Sequence, residues 1–144
     1  MAIVLSISLN QMFQIAVVSG HSMQPAVTDR ELVLIQKKAQ PERYEIIAFE
    51  QEEKLLIKRV IGVPGDYFLR NGERLMIGET SSIDAFSFTI KLTRETIAVL
   101  PTSGYLQEGE YFVLGDAVMN SHDSRAFGFV IEQDILGVVA TGLH

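Results

Sequence analysis

Ser22 lies in the stretch Ser19-Gly20-His21-Ser22-Met23-Gln24-Pro25, where a glycine frees the backbone just before a serine and a proline soon after fixes a turn. A hydroxyl carried on such a bend is exposed and rigidly aimed, as a nucleophile requires. A polar turn closing an apolar strand would read the same way. The stretch is not the nucleophile elbow of the α/β hydrolases, because Gly-x-Ser-x-Gly needs glycine where Gln24 stands. With no cysteine in the chain, covalent catalysis falls to serine, threonine, lysine or a carboxylate.

A serine nucleophile needs a base, and the chain has three histidines. His21 adjoins Ser22, and successive side chains on extended backbone point to opposite faces. His144 is the last residue, and His122-Asp123 would complete a triad with Ser22 only through an awkward local geometry. Lys58 is the other source. Leu56, Lys58 and Val60 share one face of an apolar strand. If that face meets the core, burial disfavours the ammonium and draws its pKa from about 10.4 toward the operating pH, as a general base requires. If it meets water, Lys58 is an ordinary strand lysine. A third stretch, Gly115 to Gly128, is dense in hydrogen-bonding side chains. There Asp116 can hold Arg59, Asp123 can pair with Arg125, and Ser121 or Ser124 can orient an amine.

The elements that must position these groups read mostly as strands. Short β-branched and aromatic runs occupy 12–18, 31–36, 44–49, 54–61, 96–100, 111–114 and 136–140, and 86–93 alternates strictly between apolar and polar residues. Asn71-Gly72 predicts a two-residue hairpin turn in which Arg70 faces Glu73 and Phe68 faces Leu75. Helical periodicity is confined to one short turn at 132–135. The expected fold is mainly β: packed antiparallel sheets, barrel-like, with little helix.

Composition sets the limits. The chain has 144 residues, 47% apolar and 21% charged, which suits one domain with a real core and argues against disorder. A net charge of −6 and a pI near 5.0 have the wrong sign for phosphate contacts, so no nucleic acid partner is expected. The first charged residue is Asp29. Ser6, Ser8, Asn10, Gln11 and Gln14 interrupt the leading segment and no basic start precedes it, so it is neither a complete spanning helix nor a signal peptide. Residues 1–16 read as a leading strand or as the last turns of a membrane anchor running into one.

Taken together and in order, the three stretches resemble the type I signal peptidases, membrane-anchored Ser-Lys proteases that remove signal peptides from exported proteins. The first is similar to the family's nucleophile motif. Lys58-Arg59-Val60-Ile61-Gly62-Val63-Pro64-Gly65-Asp66 is similar to its lysine motif along the whole length, and Gly115-Asp116 with Asn120-Ser121-x-Asp123-Ser124-Arg125-x-Phe127-Gly128 resembles its last box. The resemblance implies Ser22 as nucleophile, Lys58 as general base and Ser121 as the group orienting the lysine. Arg59, Asp116, Asp123 and Arg125 would support them, and Val18, Met23 and Val27 would line shallow pockets for Ala-like residues. It implies one catalytic domain over 17–144, with 67–104 a hairpin-containing insertion or subdomain. It further implies no metal or organic cofactor, signal peptides and membrane lipid as partners, and a site on the extracytoplasmic face of the cell membrane. The chain departs at Ala117-Val118, where the family usually has Asn-Arg, and at Ala26-Val27, where Thr-Leu is usual. Those departures suit a divergent specialist, and some Gram-positive relatives serve surface pilus assembly without always cleaving, with pilins as partners. A self-cleaving regulator of the LexA type shares a similar Gly-x-Ser-Met, but the chain lacks DNA-binding helices ahead of it.

Overall fold

A computed structural model describes residues 3–8, 11–37, 40–79 and 86–140. The strands are β1 (Ile3–Ser8), β2 (Phe13–Ser19), β3 (Leu32–Gln36), β4 (Ile46–Gln51), β5 (Lys54–Gly62), β6 (Tyr67–Asn71), β7 (Arg74–Gly78), β8 (Phe86–Lys91), β9 (Ser103–Tyr105), β10 (Glu110–Leu114), β11 (Val130–Ile131) and β12 (Ile135–Ala140). Two short helices, α1 (Arg94–Val99) and α2 (Ser124–Phe127), interrupt them. Eight strands make one antiparallel sheet in the order β1-β2-β3-β12-β4-β5-β10-β11, and four make a second in the order β8-β7-β6-β9.

Neither sheet closes, which corrects the barrel-like expectation. A barrel needs its first and last strands paired. Among the described residues, β1 and β11 are the unjoined ends of the large sheet and β8 and β9 those of the small one. The large sheet curls far enough to bring Cα atoms of β1 within 8 Å of β5, yet no ladder forms between them. At the other end β11 has only two residues, too few to build a closing ladder. What remains of the expectation is a mainly β, antiparallel fold with little helix.

The sheets separate three apolar clusters. Ala16, Val18, Met23, Val27, Val33 and Ile57 belong to the first; Phe68, Leu75, Ile77, Ile90, Leu92 and Phe112 to the second; Ile47, Phe49, Leu56, Val60 and Tyr111 to the third. β5 runs between β4 and β10 and contributes to all three, so both its faces are covered. A central strand covered on both faces explains its near-continuous apolar sequence and leaves no solvent side for Lys58.

Two local expectations are corrected. The hairpin turn is Gly72-Glu73, with Asn71 opposite Arg74, Arg70 opposite Leu75 and Phe68 opposite Ile77. Gly72 takes φ +60°, so glycine serves as the first central residue of the turn instead of the second. Glu73 is thereby freed from Arg70 and pairs with Lys91 of β8 at 3.5 Å. Residues 94–99 are helix, not strand: the Thr93 side chain accepts from the Thr96 amide and Glu95 lies in the first turn, a start signal that outweighs the β-branched run behind it.

Candidate active site

β2 carries the chain to Ser19, and Gly20 then turns it. Gly20 adopts φ +110°, a region a side chain would strain, and its N–H donates to Asp29 Oδ1 at 2.8 Å. Met23 and Val27, both fully buried, anchor the following turn, and the Val27 amide donates to the Met23 carbonyl at 2.9 Å. Ser22 is therefore held rigidly, but it is not exposed: it retains 1% of its accessible surface.

Lys58, from the middle of β5, encloses it. Its side chain is wholly buried, and Nζ donates to Ser22 Oγ at 2.9 Å and to the Ile57 carbonyl at 2.9 Å. Burial is the main reason its pKa falls from 10.5 to about 8, while the negative charge of Asp123 pulls in the opposite direction. Such an amine is partly neutral near neutral pH. It can accept a proton from a hydroxyl in contact with it.

The segment after β10 braces this pair. Arg59, next on β5, points away from Lys58 and grips Asp116 with two bonds, Nε to Oδ1 at 2.8 Å and Nη2 to Oδ2 at 2.6 Å, while Nη1 donates to the Tyr44 carbonyl. The Ala117 amide donates to the Ser22 carbonyl at 2.9 Å, tying this segment to the serine turn. Asp123, fully buried, accepts from the Gly115 amide at 3.0 Å and from Arg125 Nε and Nη2 at 2.8 Å each. Burial alone would push the Asp123 carboxyl up, but Arg125 and the Gly115 amide outweigh it and hold the carboxyl below its ordinary value. Ser124 Oγ accepts from the Val113 amide at 2.9 Å, so its hydroxyl is committed to the backbone.

Ser121 is close by. A Cβ added to Gly115 would overlap the Ser121 hydroxyl and stand 2.8 Å from the Ser22 carbonyl, so both serines flank the same backbone atom. The Ser121 Oγ is buried, makes no hydrogen bond to Lys58, and interacts with the Asp123 carboxylate, helping to hold that carboxyl down. Gly115 opens the last motif but carried no expected role there. Its signal is a glycine closing an apolar strand immediately before an aspartate, at a point where no side chain fits.

The histidine alternative finds no support in the geometry. His122 is exposed and its ring packs on Phe127 at 5.3 Å, Asp123 is occupied by Arg125, and His21 Nδ1 faces Gln24 Nε2 at 3.0 Å. His144 lies outside the described residues. Val18, Met23 and Val27 all point into the first core cluster with no exposed surface. No cluster of metal-ligating side chains occurs among the described residues.

The family model for signal peptidases, peptidase S26, matches residues 1–142. The chain belongs to that family. This signal peptidase relative is 29% identical to signal peptidase I V of Bacillus subtilis over 96% of its own length and 91% of that protein's. It is 31% identical to signal peptidase I U of the same species over 83% of its length and 70% of that protein's. A crystal structure of a signal peptidase I from Enterococcus faecalis covers 71% of this chain and 98% of that one, at 27% identity and a TM-score of 0.45. At its departure from the family pattern, Ala117 opens a short 3-10 turn, Val118–Asn120, that leaves Val118 half exposed and Met119 92% exposed.

Proposed function

We propose that this chain is a serine endopeptidase that removes signal peptides from exported proteins through a Ser22-Lys58 dyad. The observation that carries this is the 2.9 Å contact between the Ser22 hydroxyl and a fully buried Lys58 amine. A neutral amine has one lone pair. In the neutral amine, with one hydrogen given to the Ile57 carbonyl, the lone pair is available to accept the Ser22 hydroxyl proton across the 2.9 Å contact. Lys58 takes the Ser22 proton as Oγ attacks the carbonyl carbon of the scissile bond, and the backbone N–H of Ser22 stabilises the oxyanion. The tetrahedral species collapses to an acyl-enzyme, and the leaving amine takes the proton from Lys58. A water, deprotonated by the again neutral Lys58, releases the acyl group. Ser121 stands on the Gly115 side of the dyad, and Val18, Met23 and Val27, which have no exposed surface to line a substrate pocket, anchor the serine turn in the core.

The site works at the extracytoplasmic face of the cell membrane. Val17 and Leu32 face each other across β2 and β3 on the exposed face of the sheet, at 38% and 52% exposure, and offer an apolar surface to lipid. Among the described residues no helix is long and apolar enough to cross a membrane. The test is cleavage of a purified preprotein in detergent by the chain and by its Ser22→Ala and Lys58→Arg forms. Cleavage at the signal junction by the unmodified chain alone supports the proposal. Equal cleavage by either variant defeats it, because arginine stays protonated and cannot act as base.

A further inference from the structure

β8 is an edge strand: among the described residues it pairs with β7 alone. The Leu92 amide donates to the Glu73 carbonyl on the β7 side at 2.8 Å. Main-chain groups alternate in direction along an antiparallel strand, so Phe88 and Ile90 also face β7, while Thr89 and Lys91 turn their N–H and C=O groups outward. A groove of about 740 Å³ runs along that open edge, with Met119, Leu114 and Ser121 on its other side. Its walls are largely apolar. Ser121 joins the groove to the dyad, because it lines the groove and its hydroxyl lies against Gly115, beside the Ser22 carbonyl.

Resting on the peptidase function above, we propose that this groove receives the substrate residues that follow the scissile bond, as an extended strand added to the open edge of β8. Main-chain bonds to Thr89 and Lys91 supply the register, and side chains at alternate positions rest on Ile90, Leu92 and Met119. Met119, unbranched and exposed, adapts to differing side chains there. The preferred substrate is thus one whose exported portion begins with an extended segment carrying apolar residues at every second position.

The experiment uses synthetic peptides with one fixed signal-side sequence and one, three or six residues after the junction. Cleavage is measured with the full chain, and affinity by fluorescence anisotropy with its Ser22→Ala form. Lengthening from one to six residues raises affinity and kcat/KM about tenfold, the worth of one or two main-chain bonds. Thr89→Pro removes an outward N–H without touching the β7 ladder, and it reduces that gain to below about twofold. N-methylation of the peptide weakens binding at every second position only, which tests the pairing even if the proline variant does not fold. Affinity indifferent to length, or to the methylation register, overturns the groove assignment. Length-dependent binding without any cleavage leaves the groove standing and defeats the peptidase function, whereas cleavage without length dependence does the reverse. Neither binding gain nor cleavage defeats both.

Discussion

Replacing Lys58 by methionine, an unbranched side chain of similar length, should abolish cleavage and change the sign of the stability difference with pH. The amine is pushed down to about 8 in the folded chain from 10.5. At about 1.4 kcal/mol for each pH unit, that gap makes burial of the protonated lysine cost about 3 kcal/mol. The unfolded chain keeps the Lys58 proton up to pH 10.5, and the folded chain gives it up near 8. Between those values the unfolded state binds more protons, so the stability of the wild type rises with pH; below 8 the full cost is present. Methionine removes the cost but forfeits the two bonds from Nζ to Ser22 Oγ and Ile57 O, worth about 1 kcal/mol each. At pH 7 Lys58→Met should therefore be the more stable form by about 1 kcal/mol, a rise of about 2–4 °C in Tm. By pH 10, with the lysine cost reduced to about 1 kcal/mol, the wild type should lead by about as much. Urea unfolding of both forms at pH 7, 8.5 and 10 measures this directly. A stability difference that stays constant across that range, or that moves in favour of methionine as pH rises, would refute the buried-base assignment.

Other outcomes follow from the same contacts. The kcat/KM of the wild type should climb about tenfold from pH 7 and level off above about pH 8 to 9, whereas an ordinary lysine would keep it climbing beyond pH 10; a pH-rate profile distinguishes them. Asp123→Asn removes the charge that raises the Lys58 pKa, so the rising limb should move to lower pH while unfolding measurements show a loss of about 2–3 kcal/mol from the broken pair with Arg125. Gly115→Ala drives a methyl into the Ser121 hydroxyl and against the Ser22 carbonyl, and should cut kcat at least about tenfold with a smaller change in KM, read from steady-state kinetics. Val17→Glu with Leu32→Glu should reduce co-sedimentation with anionic-lipid vesicles while shifting Tm by less than about 2 °C; undiminished sedimentation removes this face from the membrane contact.

Most of the strand content was legible because β2, β3, β4 and β5 are short apolar runs with polar ends. Two ion pairs were legible for a different reason: Arg59, Asp116, Asp123 and Arg125 are charged residues in or beside apolar stretches, where each needs a partner. The pairs Arg59–Asp116 and Asp123–Arg125 answer that need. Closure of the sheet was not legible, since whether two edges meet depends on curl and strand length accumulated over eight strands. The hairpin register failed by one position at each strand, because Asn-Gly offers two placements of the turn and the alternation of side chains fits both nearly as well. The face presented by Lys58 was also undecided in the sequence. The serine turn and the segment after β10 enclose it from far along the chain, and that is a long-range fact.

The central claim is that Ser22 becomes acylated with Lys58 as its base. Rapid-quench mass spectrometry of the intact chain mixed with a signal-junction peptide tests it most directly. The prediction is a transient mass increase equal to the signal-side fragment, mapped to Ser22, forming faster at pH 9 than at pH 7 and absent from Lys58→Met. Turnover of the peptide with no adduct at Ser22, or an adduct that forms at an undiminished rate in Lys58→Met, would contradict it.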